Sequence, residues 1–199
     1  MKKFVLPLLL WTTLLGAESL PPDELIRQTT ERALSELQAK RDQLEQDPEK
    51  LYRLIDEVLL PHIDFERTAQ LILGRHWRMA DAQQQKRFVM EFRTLLVRTY
   101  AIAVFEYNGE KIQYKPLRMK EGDTMAVVQA EIESRSGPPI PFHYNLEKSE
   151  SGDWKVFDIS IDGISLVTNY RTSYGRMIQQ KGMDGMLDVL AAKNREAEQ

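Results

Sequence analysis

No cysteine occurs in the 199 residues, so the chain can form no disulfide, carry no thiol nucleophile and build no thiolate metal site. An excess of either charge is also missing. The 27 Lys and Arg face 30 Asp and Glu, a formal net charge of −3, which leaves no basic field for bulk nucleic-acid binding. Histidine is scarce. His62, His76 and His143 fall in no H-E-x-x-H or comparable metal spacing and read as surface or capping residues. The glycines form neither G-x-G-x-x-G nor G-x-x-x-x-G-K, so the sequence holds no phosphate loop. The segment Gly163-Ile164-Ser165-Leu166-Val167 departs from the G-x-S-x-G nucleophile elbow at Val167, and Ser165 reads as a helix cap. Glu131 and Glu133 alternate with apolar residues on a strand pattern. They should therefore face water rather than pair as a buried acid and base. No run is apolar for long enough to span a bilayer either. Residues 4–15 form an apolar stretch of twelve, against about 20 needed for a spanning helix.

What is present begins with that stretch. Met1-Lys2-Lys3 precedes it, and the small residues Gly16, Ala17 and Ser19 follow it. A positive start, a short apolar run and a small-x-small exit make a secretory signal peptide over residues 1–19, cleaved after Ser19 or Ala17. With no cysteine behind the run, a lipoprotein anchor is excluded. An exported, periplasmic protein follows as the expectation. Its remaining ~180 residues are enough to fold on a hydrophobic core alone.

Residues 20–194 then read as one domain. The helical part covers 20–108. Ile26, Ala33, Leu37 and Leu44 recur at heptad-like spacing and predict one helix over 20–46. Asp47-Pro48 caps a second helix. Asp64 caps a third, which Gly74 closes before a tryptophan-bearing link over 75–80. Asp81 and Gln84 have capping-box spacing and open the longest helix, over 82–106. Its second half is apolar nearly all round, as a helix buried on several sides must be. From 110 to 161 the period changes to two. Ile112 and Tyr114, then Ala126 to Ile132, then Ile140 to Leu146, then Trp154 to Ile161 alternate, with turns at 136–138 and 151–153. Four strands joined by short turns predict an antiparallel meander with one buried face, on which Phe157, Ile159 and Ile161 fall together. Residues 163–193 return to helix, broken at Gly182, and 195–199 read as a frayed tail. Helices and strands that segregate in this way define the α+β class. Lys86, Arg87, Arg93 and Arg98 mark the polar side of the long helix, a solvated face or a docking stripe.

Two segments resemble a known family. The first is Leu73-Gly74-Arg75-His76-Trp77-Arg78-Met79-Ala80 with Phe88, Phe92 and Leu95-Leu96-Val97-Arg98-Thr99-Tyr100 after it. The second is Trp154-Lys155-Val156-Phe157-Asp158-Ile159 followed by Asp162-Gly163-Ile164-Ser165-Leu166-Val167-Thr168-Asn169-Tyr170-Arg171. Together they are similar to the MlaC family, also called the toluene-tolerance auxiliary family, over nearly the whole mature chain. Tyr174 stands where the family usually has Phe. The resemblance implies an NTF2-like fold, a curved four-stranded antiparallel sheet covered by six or seven helices, with an internal apolar cavity. It implies a periplasmic carrier that holds phospholipid by its acyl chains, with no cofactor beyond that cargo. The implied partners are an outer-membrane lipoprotein complex and an inner-membrane ABC transporter bearing an MCE-domain ring, and the implied role is outer-membrane lipid asymmetry. Nucleic acid is no partner, and a monomer is expected.

Face assignment then predicts the cavity lining as Leu71, Phe88, Phe92, Leu96, Tyr100, Val104, Tyr114, Val128, Phe142, Tyr144, Phe157 and Ile159. No catalytic and no metal-ligating residue is expected. Two rival readings remain open. An NTF2-like enzyme would need an acid/base set inside the cavity, and a periplasmic adaptor or chaperone-like protein would use an exposed apolar groove or the basic stripe.

Overall fold

The computed structural model describes residues 19–134 and 137–196. The predicted signal through residue 18, Ser136 of the predicted turn at 136–138, and 197–199 of the predicted tail lie outside the described residues. The described chain runs through α1 (Pro22–Ala39), α2 (Arg41–Gln46), α3 (Pro48–Val58), a 3-10 turn (Leu60–His62), α4 (Phe65–Leu73), α5 (Arg75–Met79) and α6 (Ala82–Phe105). It continues through β1 (Ile112–Tyr114), β2 (Met125–Ile132), β3 (Ile140–Lys148), β4 (Trp154–Ile161), β5 (Ile164–Ser165) and α7 (Leu166–Glu196).

Short polar side chains start the helices where an N-cap is needed, because the first amide groups of a helix have no partner inside it. Asp47 accepts from the Glu49 amide at 3.1 Å, and Asp64 from the Arg67 amide at 2.8 Å. Asp81 and Gln84 close a reciprocal capping box at 2.8 and 3.2 Å. Ser165 Oγ accepts from the Thr168 amide at 3.1 Å and donates to Asp158 at 2.7 Å. The other oxygen of Asp158 accepts from the Val167 amide at 3.0 Å, so the start of α7 is tied to β4.

Three helix boundaries differ from the sequence expectation. The single helix over 20–46 breaks at Lys40, which has φ −115° and ψ 11°. No Pro or Gly marks the break. The bend places Leu44 beside Leu37, Leu51 and Leu54 in one buried cluster, so packing sets it. The link at 75–80 is helical as α5. The last helix passes Lys193, and Asn194 is anchored: it is buried, and its side-chain amide donates to the carbonyl and the carboxylate of Glu91 at 2.9 and 2.7 Å. Arg98 of α6 also donates to the Asn194 carbonyl.

The sheet is an antiparallel meander in the order β1-β2-β3-β4-β5. It has five strands and not the expected four. The fifth pairs Ser160 with Ser165 and Ile161 with Ile164. Two residues are too few to show a period of two, which leaves such a strand invisible in the pattern. Register places Ala126, Val128, Ala130, Phe142, Tyr144, Leu146, Val156, Ile159 and Ile161 on one face, here the inner face. Met125, Val127, Gln129, His143, Asn145 and Glu147 lie on the outer face.

β4 carries an irregularity that the alternation could not show. Leu146 faces Val156, but Asn145 faces Asp158, so Phe157 is an extra residue. A bulge of this kind shifts the alternation by one position. Phe157 therefore does not share a face with Ile159 and Ile161. It lines an outer-face concavity of about 500 Å³ with Val127 and Asn145, and the Arg67 guanidinium stands 6.0 Å from its ring.

Candidate functional site

A domain of this size usually buries one contiguous core. Here the buried residues form three. The first joins α4, α6 and α7 through Ile72, Phe88, Phe92, Tyr174, Met186 and Leu187. Phe88 and Phe92 stack at 5.6 Å, and Tyr174 meets Phe88 edge-on at 5.6 Å. The second joins α1, α2 and α3 to Val97 and Ala101 of α6. The third joins Leu25 and Ile26 of α1 to Ala126, Val128, Leu146, Trp154 and Val156 on the inner face of the sheet. Phe65 packs against both the first and second clusters, and Ile63, packed against the second, meets the third only through a backbone bridge to Val156.

The cause is where the helices sit. α6 packs on α3, α4 and α7 and makes no comparable approach to any strand among the described residues. The sheet is reached instead by α1 at β2, and by α4, α7 and the 3-10 turn at β4. α1 covers the part of the inner face around Ala126, Val128 and Leu146. Phe142 and Ile161, further along the same face, join no cluster and stay half-buried. On the helical layer Leu96 and Tyr100 of α6 and Tyr170 of α7 are half-buried as well. The helical layer and the inner face of the sheet thus each carry apolar side chains that are only half-buried, and these mark the two walls of a candidate crevice.

The predicted lining divides accordingly. Leu96 and Tyr100 on α6 and Phe142, Tyr144 and Ile159 on the inner sheet face are half-buried, and Tyr114 continues that face along β1; of these Leu96 packs against the first cluster and Tyr114, Tyr144 and Ile159 against the third. Phe88, Phe92 and Val128 do not line it. They are at most 1% exposed and complete packed clusters, because the apolar stripe of a helix or strand reads alike whether its neighbour is a side chain or a space. Leu71 packs against the α4–α6–α7 cluster and Val104 against the α1–α3 cluster. Phe157 belongs to the outer face for the reason of the bulge. Face assignment did not include Tyr170 or Ile161. Tyr170 follows the helical period from Leu166, and Ile161 alternates with Ile159, so both carried a usable signal.

The crevice is rich in phenols. Burial raises the Tyr144, Tyr170 and Tyr174 hydroxyls above the ordinary tyrosine value, with smaller contributions from Tyr114, Tyr100 and Tyr170 respectively. No group of three or more His, Asp or Glu among the described residues is placed to hold a metal ion.

Charged groups are engaged elsewhere. Arg87 pairs with Asp188 at 2.7 Å and Arg93 with Asp56 at 3.1 Å, so two cations of the supposed docking stripe are tied within the chain. Glu131 pairs with Lys115 at 2.8 Å on the outer face.

Comparison with known proteins agrees with this architecture. Residues 27–192 match the family model described as MlaC protein. The chain is 27% identical over 186 residues to the intermembrane phospholipid transport system binding protein MlaC of Haemophilus influenzae, covering 92% of this chain and 86% of that protein. It is 27% identical over 202 residues to the toluene tolerance protein ttg2D of Pseudomonas putida, covering 100% of this chain and 93% of that one. Among solved structures, a phospholipid-binding protein from Ralstonia solanacearum, in complex with a phospholipid, superposes with a TM-score of 0.82 at 30% identity. That match covers 89% of this chain and 98% of the other. A family match over most of the described helices and the whole sheet places this chain in the MlaC family.

Proposed function

We propose that this chain is a periplasmic phospholipid carrier, exported by its cleaved N-terminal signal, and that it performs no catalysis. Acyl chains occupy the crevice between the sheet and the α6–α7 layer, and the polar head group stays at the mouth in water. The carrier takes lipid from one transport complex and delivers it to another, between an outer-membrane lipoprotein complex and an inner-membrane ABC transporter with an MCE-domain ring. That traffic maintains the lipid asymmetry of the outer membrane.

The observation that carries this reading is that α6 packs closely on no strand among the described residues, while both the helical layer and the inner sheet face carry half-buried apolar side chains. A phospholipid-bound relative of the same fold supports it. The energetics are coherent. A lipid alone in water exposes about 0.8 kcal/mol per CH₂, on the order of 20 kcal/mol or more for two chains. An apolar crevice removes most of that cost, so bilayer-to-carrier exchange runs near balance and the carrier needs no nucleotide site. Direction comes from the partners.

Organic extraction of the purified protein followed by mass spectrometry tests the reading. Phospholipid at near-stoichiometric amounts is the expected result. Protein that is lipid-free after purification and takes up none from vesicles overturns it.

A further inference from the structure

Acyl chains alone would require no hydrogen-bond donor, yet phenols stand on both walls of the crevice. Phenylalanine would supply the same ring area without a polar atom to satisfy. The Tyr144 hydroxyl makes no hydrogen bond among the described residues. It is not sealed in either, since the one side-chain polar atom found both buried and unpaired among them is Asn194 Oδ1. The hydroxyl is therefore reachable, on a side chain of the inner sheet face whose ring stacks on Phe142 at 6.4 Å. A hydroxyl proton with no acceptor in an apolar space is unfavourable, and a cargo that brings an acceptor to that point gains what the empty crevice lacks.

Resting on the carrier reading, we infer that Tyr144 selects cargo by donating a hydrogen bond to an ester carbonyl at the junction of acyl chain and glycerol. Burial keeps the Tyr144 phenol protonated well beyond neutral pH, so the donor is always present. A diether lipid with the same chains and head group has no carbonyl to offer. It leaves the hydroxyl unpaired, which is the situation in which a polar site rejects a close analogue.

The test is a competition. Delipidated protein is incubated with vesicles containing equal amounts of a diester phospholipid and its diether analogue, matched in chains and head group, and the lipid it extracts is quantified by mass spectrometry. The wild type should take the diester in about fivefold excess, the worth of one neutral hydrogen bond. Tyr144→Phe, which keeps the ring and its stacking, should bring the ratio of the two extracted lipids near one. A wild-type ratio near one overturns the inference and leaves the carrier reading intact, whether or not the variant folds. A wild-type ratio retained in Tyr144→Phe overturns the role of Tyr144. If neither lipid is extracted, the carrier reading falls and this inference falls with it.

Discussion

Two residues one helical turn apart, Phe92 and Leu96, show why exposure rather than residue type decides a role here. Phe92 is 1% exposed, stacked on Phe88 and edge-on to Tyr170 at 5.0 Å. Leu96 touches the same cluster but keeps a free side toward the crevice. A tryptophan at each position should therefore act differently. Phe92→Trp overfills a closed core and should lower unfolding stability by about 1–3 kcal/mol. Leu96→Trp should project into the crevice, shift Tm by under about 2 °C, and reduce extracted lipid several-fold. Calorimetry and lipid quantification on the same two preparations decide it. Lipid content unchanged in Leu96→Trp would remove Leu96 from the lining.

At the scale of elements, α7 depends on one backbone irregularity. Gly182 has φ 73° and ψ 177°, a conformation essentially restricted to glycine, and it divides the helix. The segment beyond it brings Met186, Leu187 and Leu190 into the α4–α6–α7 cluster. It also brings Asp184 to Gln84 at 2.8 Å and Asp188 to Arg87 at 2.7 Å. A Cβ at Gly182 would meet nothing within 4 Å, so substitution there costs backbone strain and no clash. Gly182→Ala should destabilise by about 1–3 kcal/mol. Gly175, inside the same helix with a φ outside the positive region and equally open surroundings, should respond with the opposite sign, gaining up to about 1 kcal/mol as alanine. Urea denaturation of the pair checks both signs. Equal effects would mean that the break is not what holds the second half of α7 in place.

For the whole molecule, the divided core makes stability depend on phenols that must stay neutral. Burial raises the Tyr144 and Tyr174 hydroxyls above their unfolded value of about 10. The folded state then holds protons that the unfolded chain releases. The stabilisation is fully present below pH ~10 and is lost as pH rises through the range between the unfolded and folded values. Each of these two groups should contribute a slope of up to about 1.4 kcal/mol per pH unit above that point. Denaturation midpoints measured upward from neutral pH should hold until about pH 10 and then fall. Phenolate absorbance should rise together with unfolding rather than before it. Tyrosines that titrate freely in the folded protein would show that the crevice is hydrated at Tyr144 and that Tyr174 is not enclosed.

Local signals in the chain determined a good part of this protein. Asp47, Asp64, Asp81 and Ser165 could be read as caps because an N-cap bond spans two or three residues and needs nothing from afar. The meander was legible in the alternation of β2 and β3, and Gly182 in its own residue type. The two-residue β5, the bend at Lys40 and the bulge at Phe157 were not, since each is set by what packs against it. The same limit applies to the site. Phe88, Phe92, Leu96 and Tyr100 belong to one apolar surface of α6, and the hydrophobic effect rewards burial of that surface whatever covers it. Only the tertiary arrangement decided which part closes on α4 and α7 and which part stays half-buried, because α6 packs on α3, α4 and α7 and makes no comparable approach to a strand among the described residues.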